Sequence, residues 1–557
     1  MCTKPRAARL QMTNDEIRMT NETNMTRRRF LGVAAGAALM SGCSRSSVRS
    51  IPGDIVGASA QRGHRLRDGG FPPPSDLERH IVVVVGGGIA GLAAARELAR
   101  RGVNDFVLLE LENQTGGNSS HGANTVSEFP WGAHYVSLPA SDSHEVFELY
   151  QDLGLVAGRD QNGRPIYEET ALVADPAERL FLLGRWQEGL IPKLGATDSD
   201  QAEYVSFAAR MNEFKLARGS DGKRAFTIPV DRSSRDEAFT ALDRIKMSEW
   251  MRAQGWKSER LRWYVDYACR DDFGGSIDQV SAWAGIHYFA SRDGIAANAD
   301  SEVVLTWPEG NGWLEKRLRE PVAQQIRTGQ LAWNVDLTPN DGVVVDVFDF
   351  RQNRSVRLNA RSAIVCVPSF VARRMCAPLR ARTEAALEHG TWVVANLTVR
   401  EFPGGRGFAP AWDSVFFDSP SLGYVNATHQ RLERESHPQP TVLTWYTALC
   451  AGPADAERAI SYARTHEEWC RLILDDIRRV HPEIDALVQR IDVCVWGHGM
   501  VRPTPGTIWG GLRQRLAEPI GAIHFAHSDL SGLSIFEEAY TRGVQAATAV
   551  AASFQRA

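Results

Sequence analysis

The run His80-Ile81-Val82-Val83-Val84-Val85 passes without interruption into Gly86-Gly87-Gly88-Ile89-Ala90-Gly91. This junction constrains the fold more than any other part of the chain. An unbroken β-branched run predicts a parallel strand buried on both faces. Leu92 to Arg101 is a strong helix former with Leu92, Ala95, Leu98 and Ala99 on one face; Gly102 ends it, and Asp105 to Leu109 reads as a second strand. The glycines between strand and helix have separate tasks. Gly86 makes the tight turn, Gly88 lets backbone approach a pyrophosphate, and Gly91 lets the helix pack against the strand. Ile89 and Ala90 open the helix, whose unpaired N–H groups and positive dipole end favour phosphate. Glu110 follows, 19 residues after Gly91. A carboxylate there accepts ribose hydroxyls and repels a 2′-phosphate, which disfavours NADP. Strand, glycines, helix, strand and acid in this order predict an α/β chain with a Rossmann-like dinucleotide-binding domain.

The chain has 557 residues, a net charge of −4 and 43% hydrophobic residues, enough for a large core and several lobes. With no basic excess, nucleic acid is not an expected partner. Of the 63 basic residues only seven are lysine, and none follows Lys316. Near the N-terminus, Thr26-Arg27-Arg28-Arg29-Phe30-Leu31 precedes a short apolar stretch ending in Met40-Ser41-Gly42-Cys43. Paired arginines before Phe-Leu read as a twin-arginine export signal over residues 1–43, which implies the export machinery as a partner and a periplasmic or envelope location. Met40 to Cys43 also reads as a lipoprotein cleavage box, with Cys43 as the lipidated residue and a lipid anchor. Residues 44–77, rich in Gly, Pro and Ser around Phe71-Pro72-Pro73-Pro74-Ser75, read as a linker or strapping arm. The polar run Gly63-His64-Arg65-Leu66-Arg67-Asp68 within it is unusual for a linker. The remaining cysteines show no CxxC pair and no zinc spacing, so no metal is expected.

After Glu110 comes Leu111-Glu112-Asn113-Gln114-Thr115-Gly116-Gly117-Asn118. A second glycine pair so soon after the ribose acid is not needed for NAD. It resembles the flavin-containing amine oxidase superfamily, where this turn lies along the FAD pyrophosphate. Trp131-Gly132-Ala133-His134-Tyr135 is similar to the segment that runs beside the isoalloxazine. Trp333-Asn334-Val335 stands where the backbone of a valine meets the adenine, and Ile523 to Asp529 resembles the last FAD-binding strand, with Asp529 in place of Glu. Ser534 and Glu537 form a capping-box pattern before a final helix whose start, Ile535 and Phe536, faces the flavin in that family. The resemblance implies a discontinuous FAD domain (about 78–145, 297–390 and 495–557) with an interleaved α+β substrate domain (about 146–296 and 391–494).

It implies FAD as cofactor and hydride transfer from a small organic substrate, by default an amine or amino acid, to flavin N5. The family's flavin-proximal lysine aligns with Val394, and the aromatic cage position before the final helix holds Ile535. Trp509 is the expected other cage wall, and His134, His498 and His429 are the candidate acid–base histidines. Phe416, Phe417, Tyr424, Trp445 and Tyr446 are further candidates for an aromatic pocket. The missing lysine favours a periplasmic electron acceptor, a cytochrome or quinone, over oxygen. Two other readings stay open: a desaturase or isomerase of an apolar substrate, and a non-catalytic binding protein with the same fold.

Overall fold

The computed structural model describes residues 50–383, 385–431 and 438–555; the twin-arginine segment and the box ending at Cys43 lie outside the described residues. Among the described residues no helix is long and apolar enough to cross a membrane.

The arm contains structure of its own: strand β1 (Ile55–Val56) and helix α1 (Ala60–Asp68), capped by the Ser59 hydroxyl. Then β2 (Asp76–Val85) enters the first sheet, where β3 (Phe106–Glu110) and the strand Arg354–Val365 flank it in parallel. Val82, Val83 and Val84 are wholly buried, as a strand covered on both faces requires. Helix α2 (Ile89–Arg100) follows β2 at once. Ile326–Thr328 extends the sheet beyond β3, and Ile523–Phe525 pairs in parallel with Arg354–Val365. An antiparallel pair, Gln330–Leu337 and Val343–Asp349, completes the other side. The final helix, Phe536–Gln555, lies so close to α2 that a Cβ on Gly543 would sit 2.2 Å from the Ala90 carbonyl oxygen. The sheet is thus an α/β dinucleotide-binding unit assembled from segments far apart in sequence.

A second, eight-stranded sheet runs from β1 through Val488–Val501, His389–Val399 and Thr441–Leu449 to the hairpin Glu178–Leu182 and Arg185–Glu188. Helices including Asp198–Leu216, Glu259–Phe273 and Ala282–Ala290 surround a separate apolar core centred on Trp283 and Phe273. The expected boundary at 494/495 falls inside the strand Val488–Val501. Its first half, with Val488, Ile491 and Val493, packs in the core of the second sheet, and its Gly497–Gly499 stretch reaches the dinucleotide unit. One strand therefore serves both lobes.

Candidate functional site

At the end of β2 the chain turns through Gly86 at φ +104°, a conformation that favours glycine. A Cβ on Gly91 would lie 1.8 Å from the Gly86 carbonyl oxygen, so helix and turn meet backbone to backbone. A Cβ on Gly88 would meet nothing within 4 Å. Gly91 is therefore a packing glycine, whereas Gly88 opens onto free space at the start of α2. Gly86, Gly88, Ile89 and Ala90 border that space, a cavity of about 650 Å³.

Glu110 also borders the cavity. Its Oε2 accepts the Gly87 N–H at 2.8 Å and its Oε1 the Glu112 N–H at 2.8 Å. Burial pushes this carboxyl up to about 7, against the pull of those two bonds. The Gly116 N–H donates to the Gly87 carbonyl at 2.9 Å, laying Gly116, Gly117 and Asn118 along the glycine-rich loop. The Asn118 carbonyl in turn accepts the Ala133 N–H at 2.8 Å, and a Cβ on Gly132 would approach it to 2.4 Å. Ala133, Asp529, Ile535 and Phe536 line the cavity further along. Asp529 Oδ2 accepts from His389 Nε2 at 2.9 Å and from the Ser369 N–H at 2.8 Å. Burial opposes its charge, but the neighbouring His389 and His527 prevail and hold it well below the usual carboxylate range.

These residues fit FAD. The open floor at Gly88 leaves room for a diphosphate over a helix start, Glu110 offers a ribose partner, and the Ile535–Phe536 end opens toward a second cavity. Val335 does not take its expected place. It is wholly buried and bridged to Cys376, and Leu331 and Ala332 border the cavity instead. A register shift between Ala332 and Asn334 re-aims the strand at this point. The Ser534–Glu537 capping box gives way to another contact: the helix begins at Phe536, and the Ser534 hydroxyl accepts the Val501 N–H at 2.9 Å.

The second cavity, about 130 Å³, shares Asn118, Ala133, Ile535 and Phe536 with the first. Gly132, His134, Val394 and Glu537 line it. Tyr135, Trp392, Tyr446 and Trp496 form its aromatic walls, with the rings of His134 and Tyr446 4.8 Å apart. Burial pushes His134 down to about 4, so it is neutral, and its Nδ1 lies 3.2 Å from the Gly132 carbonyl. Asp271, Asp272 and Arg292 complete the wall. Arg292 is held by Asp272 at 2.7 Å and donates to the Tyr288 carbonyl. Asp271 makes no ion pair among the described residues; it accepts the Tyr135 hydroxyl at 3.2 Å, and the charge of Arg292 offsets its burial only in part. Desolvation and the charge of Asp272 push Asp271 up to about 7, and burial does the same to Glu537.

Other expected site residues lie elsewhere. His498 lines the dinucleotide cavity rather than the second one, stacked on Phe370 at 4.3 Å, and burial with nearby Arg458 drives it down to about 3. Trp509 lies outside both cavities. It meets Trp283 edge-on at 5.6 Å, and its backbone N–H donates to Asp243. The tight Gly506–Gly510 turn swings it into the helical core. His429 bonds the Ala174 carbonyl near the surface. Tyr446 reaches the cavity, whereas its strand neighbour Trp445 points the other way, onto Asp476. Phe416 and Tyr424 are packed in the core of the second sheet.

Sequence reasoning missed Asp271 and Asp272. A signal was present, because two acids in the last turn of Glu259–Phe273 face the negative end of the helix dipole, an unfavourable place without a further purpose.

Known proteins share part of this sequence and its fold. Residues 84–153 match the NAD(P)-binding Rossmann-like domain. Over 102 residues the chain is 36% identical to the mitochondrial dimethylglycine dehydrogenase of Rattus norvegicus, and over 103 residues 34% identical to that of Homo sapiens. These matches cover 18% and 17% of this chain but only 12% of the length of each relative. Among solved structures, cyclohexylamine oxidase from Brevibacterium oxydans IH-35A superposes with a TM-score of 0.59 at 17% identity. A double mutant of putrescine oxidase, redesigned in cofactor binding, gives 0.62 at 15%. Each covers 86% of this chain and 100% of its own. The chain therefore shares the fold of these amine oxidases, with a Rossmann-like dinucleotide cradle at its centre.

Proposed function

We propose that this protein is an FAD-dependent oxidoreductase that oxidises an amine by hydride transfer. The observation that carries the substrate class is the aromatic-walled cavity holding Asp271 and Glu537, which opens onto the cradle at Ile535 and Phe536. A protonated amine suits such a site: the carboxylates attract its charge and the aromatic faces of Trp392, Tyr446 and Trp496 add cation–π attraction. The same carboxylates argue against an apolar polyene, which would leave them desolvated and unpaired.

FAD supplies the two-electron acceptor. The protein orients and dries the substrate. Asp271, ionising near neutrality, takes a proton from the bound ammonium, so that the neutral amine faces the cofactor. The neutral amine then gives up a hydride from its carbon to that two-electron acceptor and becomes an iminium ion, which water converts to a carbonyl compound and ammonium. Neutral His134 and the aromatic walls keep the site desolvated and hold the reacting carbon in place. We place the enzyme in the cell envelope, delivered folded by the twin-arginine route, on the strength of Arg27-Arg28 and the apolar stretch that follows. Purified protein mixed with amines should yield one carbonyl product per flavin reduced in the absence of any acceptor. A protein that carries no flavin, or flavin that no amine reduces, sinks the proposal.

A further inference from the structure

Helix α1 lies where a linker was expected, and its composition is unusual. It carries Arg62, His64, Arg65 and Arg67 against one acid, Asp68, and none of its side chains is buried. A nine-residue helix with a glycine in its middle does not hold together by propensity alone. On one side it is anchored. The Ser59 N–H donates to Glu112 Oε1 at 2.7 Å and Arg62 Nη1 to Asn113 Oδ1 at 3.1 Å, which pins it to the loop just after Glu110. Arg65 lies over the Phe348 ring at 4.3 Å. Upstream, β1 pairs with Val493 and Cys494, tying the arm to the second sheet as well. The other side is a stripe at i, i+3, i+4 and i+7, formed by Ala60, Gly63, His64 and Arg67, and it borders the 650 Å³ cavity. Small residues and two cationic or hydrogen-bonding groups thus face open space.

We propose that α1 is a wall of the dinucleotide site, with His64 and Arg67 holding the FAD diphosphate and Ala60 and Gly63 leaving room for the cofactor beneath the helix. The inference rests on the FAD reading above. A guanidinium suits a diphosphate because its fixed fork of donors matches phosphate oxygens. Arg67 is free to turn toward it: its pairing with Asp68 at 2.8 Å is between side chains 56% and 59% exposed, a weak interaction in water. In return, the bound cofactor supplies the packing that the inner face of α1 lacks.

The test uses the FAD-loaded full-length chain, with FAD release after dilution followed by the rise in flavin fluorescence. The doubly substituted His64→Ala, Arg67→Ala protein should release FAD at least about tenfold faster, the loss of one charge-assisted hydrogen bond. The unfolding midpoint of the FAD-free protein should not move. Trypsin should cut within 62–67 faster once FAD is removed. Release within about twofold of the parent, or cleavage at the same rate with and without FAD, overturns the role of α1. A parent chain that takes up no FAD overturns the cofactor reading itself, so the two failures are distinguishable.

Discussion

The glycine-rich turns at Gly86–Gly88 and Gly116–Gly117 shape the part of the first cavity beside the start of α2, whereas side chains from distant segments wall the second. The cradle needs a particular chain path, so its requirements are local: a glycine that turns, a glycine that packs and a glycine that leaves space. The second cavity needs particular atoms at particular places, and those come from a helix end, three strands of the second sheet and the approach to the final helix. A backbone-built site is tolerant of its surroundings and intolerant of a Cβ. A side-chain-built site is the reverse.

The largest effects are expected within the cradle. Gly91→Val should cost about 3 kcal/mol or more in urea unfolding, because the new side chain overlaps the Gly86 carbonyl. Gly88→Ala should stay within about 1 kcal/mol of the parent yet lose FAD affinity by about a hundredfold, since its Cβ enters only the space the diphosphate needs. Equal effects of the two on folding would show that the open space at Gly88 is not a binding surface.

On the substrate side, Asp271→Asn should raise the KM for amines by about a hundredfold, the scale of losing one buried charge partner. In the parent, kcat/KM should rise with pH up to about 7, where Asp271 ionises, and the substitution should remove that inflection. Stability runs the opposite way. The folded protein keeps the Asp271 and Glu537 protons up to about 7, whereas the unfolded chain releases them near the ordinary values of 3.8 and 4.5. Between those limits the folded state binds more protons, so thermal stability should fall as pH rises toward 7, and less steeply in Asp271→Asn. A parent whose stability rises over that window contradicts the burial of these acids.

A smaller effect is expected at Val394, which lines the second cavity with its side chain buried. Val394→Lys should speed reoxidation of the reduced flavin in air by about tenfold, measured by stopped flow. No gain would show that the residue at this position does not set the rate of reaction with oxygen. Smallest of all, Trp509→Phe should leave KM and kcat within about twofold of the parent, because Trp509 touches Trp283 and the Asp243 turn rather than either cavity.

The same contrast explains what could be read in advance. From β2 to β3 each element lies next to its neighbour in sequence, so strand period, glycine spacing and the following acid could be read directly. The segments at Gly116–Asn118 and Gly132–Ala133 were read from the family resemblance; Gly116 lies against the first loop, and Ala133 bonds Asn118. Val335 was set at the adenine by resemblance, whereas Leu331 and Ala332, on the other side of a register shift in the same strand, border the cavity. Trp509 failed because spacing along a chain does not say which way a glycine-rich turn points. Asp271 carries no motif; only its place against a helix dipole hinted at a purpose, and the cavity it serves exists only once Trp392, Tyr446 and Trp496 converge. The lysine shortage was plain in the composition, but its consequence became physical only when Val394 was seen in the cavity wall.

One measurement tests the whole account most directly: anaerobic mixing of the flavin-loaded protein with a primary amine and, separately, with the alcohol of the same carbon skeleton. The two differ chiefly in the charge that Asp271 and Glu537 are placed to meet. The amine should bleach the flavin absorbance saturably, and the alcohol should leave it unchanged on that timescale. Bleaching by the alcohol alone, or by an apolar polyene in place of the amine, would contradict the amine reading.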